Sequence, residues 1–340
     1  MDSDFGTGGA ILATSLDKLR RYLVPCEPAP STSPNPPHIN LASALIDSGS
    51  WPVRHQGHRN TCSAFCAVTL AELTAFHEKG QLPVPDFSEE FLYAMIDEVD
   101  YCDVVAGVTE REIALFDETG ARFLAQANKA LTVGALVDET DMPYDTDDTT
   151  DPAAVATPSK DLVEQAKTTG LANMVNLISP KKDGELTIGP KRQWVASKDD
   201  SPEVLELVPI FIELLQNKRP IAAGFPLLVG SDHDIWFGSR AFETGHVFYP
   251  TLENKDDMEI EGGHSVCIVG YDTRGFDEGD GVFIFRNSFG QDFGWLNDDG
   301  PAPLRPPAKG YGTIAFRDVE WFCLEFMYRA LAEQSANPVV

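Results

Sequence analysis

The stretch 56–65 constrains the fold of this chain more than any other, because a polar loop there runs directly into an apolar helix. Apolar and small side chains recur at intervals of three and four residues from Cys62 to Lys79, and Gly80 follows as a stop, which predicts one helix. The side-chain oxygens of Asn60 and Thr61 are expected to cap the free amides at its start. The helix therefore begins with a cysteine.

The cysteine at the helix start, Cys62, is a candidate nucleophile. The positive end of a helix dipole stabilises an anion by ~0.3–1 kcal/mol at an exposed site, and by more at a partly buried one. This favours the thiolate, which is the reactive form of cysteine. The alternative is a buried structural cysteine, because free cysteines are often found in protein interiors. The rest of the sequence decides between these interpretations.

Two later stretches contain the other groups that a thiol nucleophile needs. Residues 262–272 are rich in β-forming side chains and predict a strand, in which His264 follows two glycines. Residues 281–286 predict a second strand, and Asn287 follows its end. A thiol needs a base, and the base needs a third group that fixes its tautomer. Cys62, His264 and Asn287 together predict such a triad.

The segments around these residues resemble the papain-like (C1 family) cysteine peptidases, in a bacterial-type variant. The family's Cys-Trp-Ala-Phe is matched by Cys62 to Phe65 and its His-Ala-Val-x-x-Val-Gly-Tyr by His264 to Tyr271. Its Lys-Asn-Ser-Trp-Gly is matched by Arg286 to Gly290. The family also has a glutamine six residues before the nucleophile, which corresponds to Gln56.

This resemblance implies a fold and a set of roles. The implied fold is α+β and two-lobed, with the nucleophile helix in a helical lobe and an antiparallel, β-barrel-like second lobe. The Gln56 amide and the Cys62 backbone N–H would hold the oxyanion. His264 would pair with the Cys62 thiolate as the imidazolium and then protonate the leaving amine, and Asn287 would orient the imidazole. The implied activity is hydrolysis of peptide bonds through an acyl-enzyme, without a cofactor or a metal.

Several positions depart from the family pattern. Ser63 stands where a tryptophan is usual, and Phe289 and Phe293 replace two tryptophans that shield the asparagine. Arg59 occupies the position of a structural cysteine, and the Gly-Cys-x-Gly-Gly stretch that would pair with it is missing, so the family's disulfide is not expected. Because only residues 1–50 precede the core, no long inhibitory prosegment is expected either, and the chain is expected to react without trimming.

The predicted organisation is a tail and linker at 1–38, a mainly helical lobe at 39–205 and a mainly β lobe at 206–340. A polar insertion at 145–202 interrupts the helical lobe and is expected to run over the surface. Further predicted elements are helices at 15–23, 88–96, 121–131, 161–177 and 208–215, strands at 221–225, 241–249 and 311–316, and a proline-rich loop at 301–307.

Composition narrows the function further. The net charge of −27 argues against nucleic-acid binding, which needs basic patches. The sequence has no run of 18 apolar residues and no basic segment followed by an apolar one, so neither a membrane span nor a secretory signal is predicted. Six cysteines without metal-binding spacing are too sparse for a disulfide framework and favour a reducing, cytoplasmic setting. The expected partner is a peptide or protein substrate, and a separate protein regulator remains open.

Alternatives remain for both the base and the reaction. His55, His58 and His246 compete with His264 for the role of the base. An amine could resolve the same acyl-enzyme in place of water, which would make the protein a papain-fold transferase or deamidase. A non-catalytic peptide-binding module is the third interpretation, and the retention of the glutamine, cysteine, histidine and asparagine argues against it.

Overall fold

The computed structural model describes most of the chain from residue 36 to residue 330. The helix predicted at 15–23 and most of the linker before residue 36 lie outside the described residues, as does the first half of the proline-rich loop at 301–307. The described ranges are 36–80, 82–99, 120–134, 136–147, 149–151, 153–171, 174–178, 192–194, 203–230, 233–249, 258–277, 280–296 and 305–330.

Helices and strands are mixed along these ranges, as expected of an α+β chain. The helices are α1 Ser43–Ser48, α2 Cys62–Lys79, α3 Glu89–Asp97, α4 Leu124–Val133, α5 Lys160–Ala166, α6 Leu207–Gln216, α7 Ser239–Thr244 and α8 Phe316–Phe322. The strands are β1 His38–Asn40, β2 Met174–Ile178, β3 Gln193–Trp194, β4 Glu203–Val204, β5 Ile221–Gly230, β6 His233–Asp234, β7 His246–Val247, β8 Met258–Asp272, β9 Val282–Arg286, β10 Tyr311–Ala315 and β11 Glu325–Arg329.

One large sheet organises the β part of the described chain. Its order is β2-β11-β5-β8-β9-β10-β7, with β1 added to β8 and β6 added to β5. All pairs are antiparallel except β10 with β7, which is parallel. The short strands β3 and β4 form a separate ribbon. The strand β8 therefore lies between β5 and β9 and carries His264 in the interior of the sheet.

The helix α2 has the bounds predicted for the nucleophile helix. It ends at Gly80, which adopts a φ of 62° and donates its N–H to Phe76 O at 2.8 Å. Residues 62–74 are all buried, because the helix packs against α3, α4, β5 and β8. The cap predicted for Thr61 is wrong: its side chain makes no capping bond, and its hydroxyl lies 2.7 Å from the Tyr144 hydroxyl instead.

The other predicted helices agree with the structure where local signals are strong. The helix α3 begins after Ser88, whose hydroxyl accepts the Phe91 N–H at 2.9 Å, as a capping serine should. The helix α6 extends the prediction at 208–215 by one residue at each end. The helix predicted at 121–131 instead begins at Leu124, because Phe123 is extended and donates its N–H to Gln126 Oε1 at 3.0 Å.

Two predicted elements are wrong. The helix predicted at 161–177 stops at Ala166, and β2 follows it and pairs with β11. The chain turns at Gly170, where a Cβ would lie only 3.0 Å from Thr132 O, so the backbone there approaches α4 closely. The strand predicted at 241–249 begins instead within the helix α7, which contains 241–244 and is capped by Gly245 with a φ of 71°. Only the two residues of β7 in this range are a strand.

Candidate active site

The clearest feature of the site is a hydrogen bond between two predicted catalytic residues. His264 on β8 donates its Nε2–H to Asn287 Oδ1 at 2.8 Å, and the same oxygen accepts the Ser288 N–H at 2.8 Å. The antiparallel pairing of β8 with β9 produces this contact, since Cys267 lies opposite Arg286, the last residue of β9. A ring that donates from Nε2 keeps Nδ1 as its acceptor when it is neutral.

Aromatic rings enclose the imidazole. Phe289 stacks on the His264 ring with centroids 4.7 Å apart and planes inclined by 21°. Trp236 presents an edge to the same ring at 4.9 Å, and Phe237 lies at 6.2 Å. Phe293 contacts Phe289 at 5.9 Å. The predicted phenylalanine cover is therefore present, while Trp236 and Phe237 were missed because no motif connects them with the histidine.

Burial controls the charge of the histidine. His264 is buried, and this loss of solvation lowers its pKa to about 4 although the hydrogen bond to Asn287 opposes the shift. The imidazole is therefore neutral in this structure at neutral pH, and not the imidazolium that the resemblance implies. A neutral ring can accept a proton, which is the first requirement of a general base.

Cys62 lies in the same interior, in the first turn of α2. Burial raises the pKa of its thiol to about 11, and the Glu325 carboxyl acts in the same direction. The backbone and hydroxyl of Ser265, the residue after His264, oppose the shift, as does the backbone of Ser63. Burial therefore opposes the thiolate that the helix start favours, and the loss of solvation outweighs the helix dipole in this structure.

Ser265 belongs to a row of residues that crosses three strands. It lies opposite Gly224 on β5, and Gly224 lies opposite Glu325 on β11. A Cβ on Gly224 would lie 2.8 Å from Glu325 Oε1, so the buried carboxyl occupies the space above the glycine. Burial raises the pKa of Glu325 well above its usual range.

The fourth predicted residue, Gln56, is held at three points. Its side-chain Nε2 donates to Arg59 O at 2.7 Å, and its Oε1 accepts from Ser288 Oγ at 2.5 Å. Its backbone N–H donates to Ser288 O at 2.8 Å. Since the amide nitrogen carries two hydrogens, one remains for a ligand. Ser288 therefore connects Gln56 with the neighbouring Asn287, which sequence analysis did not foresee.

The three competing histidines have other contacts. His55 accepts the Gly57 N–H on Nδ1 at 2.8 Å, and His58 donates from Nε2 to Thr150 O at 2.6 Å. His246 lies 2.9 Å from the Thr313 hydroxyl through Nδ1. The contact between an imidazole and an asparagine beside α2 is made by His264.

Within the described ranges, no cluster of three histidine, cysteine or acidic side chains could hold a metal ion. In the same ranges, no helix is long and apolar enough to span a bilayer. The described cysteines, Cys62, Cys66, Cys267 and Cys323, are all free thiols.

Comparison with known proteins identifies the fold. No protein-family model matches the sequence, and no curated protein matches it either. Among solved structures, the chain is similar to xylellain, a cysteine protease from Xylella fastidiosa, with a TM-score of 0.56 and 16% identity over 98% of this chain and 99% of that one. Digestive procathepsin L 3 from the larval midgut of Tenebrio molitor matches with a TM-score of 0.47 and 16% identity, over 88% of this chain and 72% of that one. The chain thus has the two-lobed α+β papain-like fold.

Proposed function

We propose that this protein is a papain-like cysteine peptidase that cleaves peptide bonds through an acyl-enzyme on Cys62. One observation carries the proposal. His264 lies on the strand against which the Cys62 helix packs, and it donates a hydrogen bond to Asn287. This arrangement supplies a thiol, a neutral base and an orienting amide in one interior. The fold of a solved cysteine protease is consistent with it.

The first half of the reaction forms a thioester. His264 accepts the Cys62 proton on Nδ1, and the sulfur attacks the carbonyl carbon of the scissile peptide bond. The negative charge that develops on the carbonyl oxygen is stabilised by the second amide hydrogen of Gln56 and by the Cys62 backbone N–H, and one such donor is typically worth ~2.7–4 kcal/mol. The imidazolium then protonates the leaving amine, and the C–N bond breaks.

The second half of the reaction releases the acid. His264 removes a proton from water, the oxygen attacks the thioester carbon, and the sulfur leaves as the thiol after protonation by the imidazolium. Asn287 keeps the ring oriented through both halves because its Oδ1 holds Nε2–H. The free thiols of the described cysteines support the further proposal that the protein works in a reducing, cytoplasmic setting.

The test is a proteome-wide cleavage-site profile with the wild type and Cys62→Ala. We expect cleavage by the wild type and none by the variant, together with loss of labelling by an epoxysuccinyl thiol reagent and unchanged folding by circular dichroism. Labelling that persists at Cys66 or Cys267 would move the active site elsewhere. Product masses separate hydrolysis from transfer to an amine or from deamidation, and a wild type that binds peptides without turnover would refute the proposal.

A further inference from the structure

The loop that carries Gln56 is anchored by a buried ion pair. Arg59 donates from NH1 to Glu90 Oε2 at 2.6 Å and from NH2 to Glu90 Oε1 at 2.9 Å, which is a bidentate pair. The NH2 group also donates to Ala154 O at 2.8 Å. Only 2% of Arg59 and 3% of Glu90 are exposed. The pair therefore joins the loop to α3, which carries Glu90 near its start.

The same arginine contacts the side chain of the glutamine. The backbone oxygen of Arg59 accepts the Gln56 Nε2–H at 2.7 Å and so fixes one amide hydrogen of Gln56. The ion pair with Glu90 in turn holds Arg59 in place. A displacement of the Arg59 backbone would release that hydrogen and leave the side-chain amide held only through Oε1 by the Ser288 hydroxyl, about which it could rotate. The remaining hydrogen, which the proposed reaction directs at the oxyanion, would then lose its fixed direction.

Tyr144 completes the arrangement. Its ring lies 5.0 Å from the Arg59 guanidinium carbon, and its hydroxyl donates to Gln56 O at 2.8 Å. The Tyr144 hydroxyl is also 2.7 Å from the Thr61 hydroxyl, directly before Cys62. Glu90 Oε2 accepts the Asp145 N–H at 3.1 Å and so fixes the segment that carries the tyrosine. We name Arg59, Glu90 and Tyr144 the oxyanion-loop clamp.

A buried ion pair is costly to desolvate and is weak evidence for stability in itself, so its position is the informative feature. Here the pair involves Arg59, which occupies the position of a structural cysteine in the papain-like peptidases. The backbone oxygen of Arg59 accepts a hydrogen bond from the Gln56 side chain. We propose that the oxyanion-loop clamp positions the Gln56 amide for transition-state stabilisation, in the place of a covalent crosslink. This inference rests on the proposed function, because it assigns a role within that reaction.

The experiment compares two clamp variants with a matched control. Glu90→Gln removes the charge of the pair, and Tyr144→Phe removes only the hydroxyl that contacts Gln56 O and the Thr61 hydroxyl. Glu78→Gln removes a carboxylate that pairs with Arg219 at 2.9 Å at the far end of α2 from Cys62, and it serves as the control. For each protein, kcat, KM, inhibition by a peptide aldehyde and the alkylation rate with iodoacetamide are measured. The aldehyde forms a hemithioacetal whose oxygen needs the oxyanion donors, whereas alkylation displaces iodide and needs the thiolate but no oxyanion donor.

A positioning role predicts a split between these readouts. In both clamp variants we expect kcat and aldehyde affinity to fall together by ~10-fold or more, since removing a whole oxyanion donor costs ~10²–10³-fold in kcat. KM and the alkylation rate should stay within about twofold, and Glu78→Gln should resemble the wild type. If Glu90→Gln does not fold, Tyr144→Phe decides alone.

Two results would overturn the inference. The first is a folded clamp variant with unchanged kcat and aldehyde affinity, and the second is an equal fall in alkylation, which would indicate general damage to the site. A wild type without Cys62-dependent hydrolysis would instead refute the proposed function itself, so the two failures are distinguishable.

Discussion

At the scale of single residues, Asn287 should affect turnover and leave the thiol reactive. Its Oδ1 holds the His264 Nε2–H at 2.8 Å, and without it the ring can rotate under Phe289. We expect Asn287→Ala to lower kcat ~10-fold or more, because acid–base catalysis by a positioned group contributes ~10²–10⁴-fold. Cys62 should remain alkylatable in this variant. Steady-state kinetics and iodoacetamide labelling measure the two effects.

His264→Ala is the contrasting variant. It removes the proton acceptor itself, so we expect both turnover and alkylation near neutral pH to fall. Equal alkylation in His264→Ala and the wild type would show that another group activates Cys62. His246 is not a neighbour of His264 in the sheet, since β9 and β10 lie between β7 and β8.

Ser265 should tune the nucleophile. Its backbone and hydroxyl lower the pKa of the Cys62 thiol against the effect of burial. We therefore expect Ser265→Ala to raise that pKa and to move the pH profile of alkylation towards higher pH. Ser63→Ala is the matched control, because the backbone of Ser63, and not its hydroxyl, favours the thiolate. Coincident profiles for Ser265→Ala and the wild type would contradict this role.

Sequence identified four candidate site residues because their types and spacing can be read locally. It did not predict their charge states, because desolvation of Cys62 and His264 depends on which strands and rings cover them. It missed Ser288 and Trp236 for the same reason: their contacts with Gln56 and His264 join residues far apart in the chain.

At the scale of elements, Gly270 should be irreplaceable in the pairing of β1 with β8. A Cβ there would lie 2.1 Å from Ile39 O and 2.9 Å from Asn40 Cα, both backbone atoms that cannot move aside cheaply. We expect Gly270→Ala to reduce the free energy of unfolding by roughly 1–3 kcal/mol, as overpacking does. Urea denaturation measures this loss.

The control for this variant is Gly57→Ala. Gly57 has a φ of 65°, but a Cβ there would meet no atom within 4 Å, so its cost is backbone strain alone. A loss in Gly270→Ala no larger than in Gly57→Ala would show that β1 can shift away from β8 without penalty.

Element prediction succeeded where a helix or strand carries its own signals, as the Ser88 cap and the Gly80 stop do. It failed at 161–177, because the apolar residues of β2 belong to a strand that pairs with β11 and not to one face of a helix. The pairing partner lies 150 residues later in the sequence, since Asn176 donates to Phe326 O. Periodicity within a short window cannot report such a partner.

At the scale of the whole molecule, a buried charge network joins the helical part to the sheet. Glu72 on α2 accepts from Trp51 Nε1 at 2.6 Å and from Arg54 NH2 at 2.8 Å. Arg286, at the end of β9, donates to the Thr69 hydroxyl at 3.0 Å, and its guanidinium carbon lies 3.8 Å from the Trp51 ring centre. The strand that precedes Asn287 is thereby fixed to the helix that begins with Cys62. The sequence shows these charged residues, but it does not show that they contact one another in the folded protein.

The acid sensitivity of the folded state should depend on His246. Burial, with Arg240 nearby, lowers the pKa of His246 to about 4 from an ordinary value of 6.5. Between pH 6.5 and pH 4 this histidine is therefore protonated in the unfolded chain and neutral in the folded chain. The free energy of unfolding falls as the pH falls through this window. The effect amounts to about 3 kcal/mol for a group with this pKa.

His246→Gln removes this proton and keeps a polar group near the Thr313 hydroxyl. The buried carboxyls of Glu89 and Glu325, whose pKa values are raised, act in the opposite direction on both proteins, so the difference between variant and wild type isolates the histidine. Between pH 7 and pH 4, we expect the free energy of unfolding of the variant to rise by about 3 kcal/mol relative to that of the wild type. Urea denaturation measures this difference. Parallel curves over that range would mean that His246 is protonated in the folded state, and that the β7 side of the sheet admits water that this structure excludes.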